Sequence, residues 1–228
     1  MAPDRSPRVL VVEDEPSLRG ALLDALAARG FEPCGAADGD EGLRAGRDAA
    51  IDLVILDVML PRRNGFDVCE ALRAARPRLP ILLLTARGAE ADVLRGFRAG
   101  ADDYVTKPFS LAQLGARLEA LLRRAGAPPD REPFAFGPWR VDPQALVAAC
   151  AEARVELTRR EADLLAFFAR ERGRIVGRRA LLREVWGLEH ADRIETRTVD
   201  MHLAKLRKKL GPARTLIETV RGEGYRFG

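Results

Sequence analysis

Scarcity of several residue types narrows what this sequence can be. Cys34, Cys69 and Cys150 are the three cysteines among 228 residues, and no two fall in a CxxC spacing. An odd, unspaced set supports neither a disulfide framework nor a zinc site, so all three are expected as reduced packing residues. Long apolar runs are missing too. None approaches the ~18 residues of a membrane span, and the amino terminus MAPDRSPRVLVV holds charges but no signal-peptide core. A cytoplasmic protein with no membrane partner is expected. No internal repeat or low-complexity tract interrupts the chain, and a hydrophobic content of 47% excludes wholesale disorder. At this length two ordinary domains are a better expectation than one large one.

What is present is unevenly spread. Residues 1–124 hold 18 Lys+Arg against 19 Asp+Glu, and residues 125–228 hold 20 against 15, so the basic excess lies in the second half and suggests a polyanionic partner there. The first half alternates strand-like runs with helical periodicity. VLVV (9–12), LVIL (53–56), ILLL (81–84) and YVT (104–106) are the strands, with a weaker one from Phe31 to Ala36. Between them PSLRGALLDALAARG, DGDEGLRAGRDA, GFDVCEALRAARP, EADVLRGFRAG and SLAQLGARLEALLRR read as amphipathic helices. Five such alternations predict an α/β fold, a doubly wound five-stranded parallel sheet with both faces covered. The segment AGAPPDREP, 125–133, has three prolines and no periodicity, so it reads as a linker. From residue 134 to 228 short strands with tight turns mix with the helices TRREADLLAFFARERG, GRRALLREVWG and ETRTVDMHLAKLRKKLG, an α+β pattern.

Ligands of an open parallel sheet gather outside the carboxyl ends of its strands. Those ends carry Glu13, Asp14 and Glu15, then Asp57, Thr85 and Lys107. Asp14 and Asp57, with a backbone carbonyl past the third strand, offer hard oxygen ligands suited to Mg²⁺. Lys107 can bind phosphoryl oxygens as a point charge and Thr85 can donate to one of them. The set suits phosphoryl transfer to a carboxylate. A phosphatase of the haloacid-dehalogenase type also phosphorylates an Asp after a strand, but its chemistry wants a second Asp two residues later, where this chain has Met59.

Through VVEDE (11–15), ILDVMLPRRNG (55–65), LLTARG (83–88) and GADDYVTKPF (100–109), residues 8–124 resemble the receiver domain of two-component response regulators, giving 1–124 as a receiver domain. The resemblance implies Asp57 as phosphoacceptor, Glu13 and Asp14 as the metal-binding pair, Met59 as a carbonyl ligand of Mg²⁺ and Lys107 as the phosphate-binding lysine. It also implies Thr85 and Tyr104 as a switch pair and a cis Lys107–Pro108 bond. Arg62 and Arg63 stand in PRRNG, where relatives more often have a Gly-Met-Asp-Gly turn.

In the basic half, projection of residues 197–211 at ~100° per residue puts Val199, Leu203, Leu206 and Leu210 on one stripe. The opposite side presents Arg197, Met201, Ala204, Lys205 and Lys208, with His202, Arg207 and Lys209 at its flanks. Such a helix can enter a major groove while its cations meet phosphates. LTRREADLLAFF, RRALLREVWG, RTVDMHLAKLRKKLG and ETVRGEGYRF resemble the winged helix-turn-helix domain of the OmpR/PhoB subfamily over residues 134–228. That resemblance implies a base-reading helix near 195–210, with Thr219, Arg221 and Tyr225 in the wing region. It also implies contact with RNA polymerase through the loop 187–196.

Receivers of this subfamily dimerise through the last strand of the sheet and the helices before and after it. Asp102, Asp103, Arg117, Arg123 and Arg124 match that charge network, whereas Val93 and Gln113 replace a basic–acidic pair. The implied protein is a regulator rather than an enzyme, its receiver assisting only its own phosphotransfer and dephosphorylation. A sensor histidine kinase phosphorylates it and a homodimer forms on promoter DNA. The rival reading is a DNA-binding protein whose receiver serves as a constitutive dimerisation module.

Overall fold

In this computed structural model, residues 5–86, 99–126, 132–151, 153–188 and 198–228 are described. Two compact units emerge, Met1–Gly126 and Ala127–Gly228. Most of the expected linker 125–133 and the expected helix EADVLRGFRAG lie outside the described residues.

The first unit carries strands β1 (Arg8–Val12), β2 (Glu32–Ala36), β3 (Leu53–Asp57), β4 (Ile81–Ala86) and β5 (Asp103–Lys107). Its described helices are α1 (Pro16–Ala27), α2 (Gly39–Gly46), α3 (Gly65–Ala75) and α4 (Leu111–Gly126). All strand pairs are parallel, in the order β2-β1-β3-β4-β5. The apolar runs are continuous because both faces are buried. Successive strand residues point to opposite faces. Leu10, Val12, Val54, Leu56, Ile81 and Leu83 pack in one core with Leu43 of α2 and Phe66, Val68 and Leu72 of α3. Val9, Val11, Leu53, Ile55, Leu82 and Leu84 pack in a second core with Leu22 and Leu26 of α1 and Leu114, Leu118 and Leu121 of α4.

Helix starts follow local chemistry. Pro16 opens α1, Asp38 caps α2 by accepting from the N–H groups of Asp40 and Glu41, and Asn64 caps α3 by accepting from Phe66. The chain order reverses between β1 and β3, so the crevice at the carboxyl ends of these two strands is a topological switch point.

The second unit begins with the antiparallel sheet β6 (Phe134–Phe136), β7 (Trp139–Asp142), β8 (Val147–Ala149) and β9 (Arg154–Glu156). Helices α5 (Arg159–Arg170), α6 (Arg178–Trp186) and α7 (Thr198–Lys209) follow, with a second sheet of order β10-β12-β11. In it β11 (Ile217–Val220) and β12 (Gly224–Phe227) form a hairpin, and the two-residue strand β10 (Ile175–Val176), which the sequence pattern does not reveal, joins its far side. Phe136 stacks on Phe227 with centroids 4.0 Å apart, joining the two sheets.

Candidate functional site

At the switch point the loop after β1 brings Glu13 and Asp14 beside Asp57, the last residue of the wholly buried β3. A carboxylate oxygen from each of the three lies within 4.8 Å of the others. Lys107, closing β5, reaches into the same cluster, donating to Asp57 Oδ2 at 2.5 Å and Glu13 Oε2 at 2.8 Å. Met59 donates its N–H to Asp57 Oδ1 at 3.0 Å, while its side chain is exposed. The Lys107–Pro108 peptide is cis.

Three carboxylates against one ammonium leave an excess of negative charge, and the group affected most visibly is Glu13. Burial raises its pKa, Asp57's charge adds to the rise, and the hydrogen bond from Lys107 only partly counters it. For Lys107 burial acts to lower the pKa, but the hydrogen bonds and charges of Asp57 and Glu13 prevail and raise it. Clustered hard oxygen donors with surplus negative charge fit a divalent cation such as Mg²⁺.

Thr85 is 3% exposed near the end of β4. Leu83 pairs with Tyr104 and Thr85 with Thr106, so Thr85 and Tyr104 share one face of the sheet, diagonal to each other. Tyr104 packs partly buried on the α2–α3 core. The two arginines of PRRNG turn toward α2: Arg62 pairs with Asp38 at 3.2 Å and Arg63 with Asp40 at 2.8 Å. They fasten the loop that follows Asp57 to the start of that helix. Sequence reasoning missed Arg19, whose guanidinium donates to the Glu13 carbonyl at 2.6 Å and the Asp14 carbonyl at 3.2 Å. Its position one helical turn after the acids was the available signal.

Three of the residues expected at a dimer interface have partners within the chain. Asp102 accepts from Arg73 at 2.7 Å and from the Ile81 N–H at 2.9 Å, and Asp103 pairs with Arg117 at 2.5 Å. Asp102, Asp103 and Arg117 are all buried, 6% exposed or less. They serve pairs inside the chain, because a strand-end carboxylate beneath a helix must be neutralised locally. Arg123 and Gln113 are exposed; Val93 lies outside the described residues, as does the side chain of Arg124.

In the second unit, Val199, Leu203 and Leu206 of α7 and Leu210 just past its end are buried as projected. Met201 and His202, expected on its outer side, are buried instead, at 6% and 2% exposure. His202 meets Trp186 of α6 edge-on at 5.1 Å, and its Nδ1 lies 3.0 Å from the Thr198 carbonyl oxygen. The first turn of α7 is covered on more than one side, which a single-stripe projection does not anticipate. Ala204 and Lys208 are exposed, and Arg197 lies outside the described residues. Arg207 donates to the Ile217 carbonyl and to Thr219 Oγ1, both at 2.9 Å, and Lys205 and Lys209 turn toward Glu161 of α5. On the hairpin Thr219 and Arg221 are exposed. Tyr225 lies on β12 of the hairpin, as expected of the wing region, but is buried. Its hydroxyl donates to Asp200, which also pairs with Arg178 at 2.8 Å. Burial, then the Asp200 bond and charge, push the phenol up to about 12.

Residues 9–119 match the family described as response regulator receiver domain, and residues 152–227 match the family described as transcriptional regulatory protein, C terminal. The chain is 42% identical over 224 residues to transcriptional regulatory protein PrrA of Mycobacterium tuberculosis, covering 96% of this chain and 95% of that one. It is 38% identical over 232 residues to alkaline phosphatase synthesis transcriptional regulatory protein PhoP of Bacillus subtilis, covering 96% of each. Among solved structures, a RitR mutant aligns with a TM-score of 0.74 at 28% identity over 98% of this chain and 99% of that one. No described helix is long and apolar enough to cross a membrane.

Proposed function

Because this chain belongs to the OmpR/PhoB-type response regulators of two-component systems, we propose that it accepts a phosphoryl group on Asp57 from a sensor histidine kinase and thereby controls its binding to promoter DNA. The observation that carries this reading is the convergence of Glu13, Asp14 and Lys107 on the carboxylate of Asp57.

A carboxylate oxygen of Asp57 attacks the phosphorus of the kinase's phosphohistidine; the P–O bond forms as the P–N bond breaks, and the departing imidazole nitrogen keeps the electron pair and takes up a proton. Mg²⁺ held by Glu13, Asp14, Asp57 and the Met59 carbonyl would supply positive charge to the phosphoryl oxygens. Lys107 orients Asp57 and places a second positive charge beside the incoming group. Thr85 offers its hydroxyl to a phosphoryl oxygen, and Tyr104, on the same face of the sheet, follows its reorientation.

On the output side Ala204 and Lys208 of α7, with Arg197, meet the major groove, while Thr219 and Arg221 meet the adjoining backbone or minor groove. The phosphorylated receiver forms a homodimer that sets two DNA-binding units on adjacent half-sites. Contact with RNA polymerase through residues 187–196 rests on family resemblance alone. The test is treatment with acetyl phosphate and Mg²⁺, read by phosphate-affinity electrophoresis and sedimentation. The wild type should take up an acid-labile phosphate and gain mass as a dimer, and Asp57→Asn should do neither; equal uptake by both proteins overturns the assignment.

A further inference from the structure

Helix α7 carries four described cations, Lys205, Arg207, Lys208 and Lys209. Two of them converge on one carboxylate. Glu161 in the first turn of α5 is 0% exposed; its Oε2 accepts from Lys209 Nζ at 2.6 Å, and its Oε1 lies 3.7 Å from Lys205 Nζ. Lys209 also donates to the Glu156 carbonyl at 2.8 Å. The side chains of Lys205 and Lys209 are only 16% and 27% exposed.

Glu161 cannot turn away from them cheaply. The same Oε2 accepts from the Thr158 N–H at 2.7 Å, and Thr158 Oγ1 accepts from the Glu161 N–H, the reciprocal capping box that starts α5. Hydrogen bonding reaches only one of its two carboxylate oxygens, since Oε1 is buried without a hydrogen-bond partner. Both lysines leaving this site for DNA phosphates would strand a fully buried negative charge, which exposed phosphate contacts do not compensate.

Resting on the DNA-binding reading, we infer that Glu161 is a positioning residue that limits DNA affinity: its carboxylate holds Lys205 and Lys209 against the domain and withholds their charge from the DNA backbone. Phosphate contacts by lysine supply affinity without sequence information. Removing two of them from the contact set lowers binding to every sequence alike and leaves discrimination between sequences to the base contacts.

Salt titration of the full chain on a mixed-sequence duplex tests this, because each phosphate contact adds about 0.9 to the log–log slope. Lys208→Met should make the slope shallower by about one unit, while Lys205→Met and Lys209→Met leave it unchanged. Glu161→Gln, which keeps an acceptor for Thr158, should steepen it by up to about two units and tighten mixed-sequence binding. A fold defect in that variant leaves the lysine variants to decide. A slope made as shallow by Lys209→Met as by Lys208→Met overturns the inference while leaving DNA binding intact. Wild-type protein that binds no duplex at low salt overturns the DNA-binding reading itself.

Discussion

Lys107 and Asp57 meet at 2.5 Å across the carboxyl edge of the receiver sheet, fifty residues apart in sequence, and Glu13 shares the same ammonium at 2.8 Å. The lysine is therefore the counter-charge that lets the clustered carboxylates coexist. Lys107→Ala should lower Tm in chelator and regain much of the loss on adding Mg²⁺. Phosphorylation by acetyl phosphate should slow by roughly a hundredfold, the usual cost of deleting one preorganised donor. Differential scanning calorimetry with and without Mg²⁺ checks the first point, and phosphorylation time courses check the second.

With Mg²⁺ in the proposed site, Glu13 would set a pH dependence for its binding. Its pKa is raised above the ordinary 4.5, so in the metal-free fold its stabilising contribution is present below that pH and is lost as pH climbs through the raised value. The cation needs the ionised form. Mg²⁺ affinity by calorimetry should thus fall on acidification at a higher pH than an ordinary glutamate would give, and chelation should cost more stability at neutral pH than near 4.5.

Gly65 opens α3 directly against the end of β3. A Cβ there would stand 2.0 Å from the Asp57 carbonyl oxygen and 2.8 Å from Val58 Cα. Gly65→Ala must displace the strand end that carries Asp57, so chemical denaturation should report a loss of about 1–3 kcal/mol. Phosphate uptake should drop with it, although the substituted residue bears no functional group.

Arg73 and Asp102 form a buried pair, their side chains 12% and 7% exposed. Arg73→Ala removes the guanidinium that neutralises the buried Asp102 carboxylate. A loss of about 3–5 kcal/mol in urea unfolding is expected. Restoration by the double variant Arg73→Ala with Asp102→Asn, measured as a thermodynamic cycle, would separate the cost of the stranded charge from that of lost packing.

Tyr225 reports on the joint between α7 and the hairpin. The neutral phenol is the form the fold favours, so its contribution is full below pH 10 and is lost as pH rises through about 12. The ultraviolet titration of wild type minus Tyr225→Phe should show a transition near 12. Asp200→Asn should bring it down, and a wild-type transition near 10 would contradict the geometry.

Much of the receiver is legible from sequence because its signals are local. Asp57 ends an apolar run that has to be a buried strand, and Asn64 and Gly65 mark the helix that must follow it. Long-range pairing is what the sequence hides. Nothing near Asp102 announces Arg73, 29 residues earlier, so its carboxylate reads as surface charge. In the second unit a helical projection recognises one packing partner for α7, yet His202 meets Trp186 while Lys205 and Lys209 meet Glu161. The strand β10 is two residues long, too short to show any period, and exists through pairing with β12.

Strand β3 gives alternate side chains to two separate cores and ends in Asp57, the proposed phosphoacceptor. In the living cell, a lesion in either layer reaches the same carboxylate. Truncating Leu53 on one side or Val54 on the other should therefore leave a strain unresponsive to its stimulus before the protein is cleared, so that inherited deafness to the signal maps to residues that never meet a phosphate.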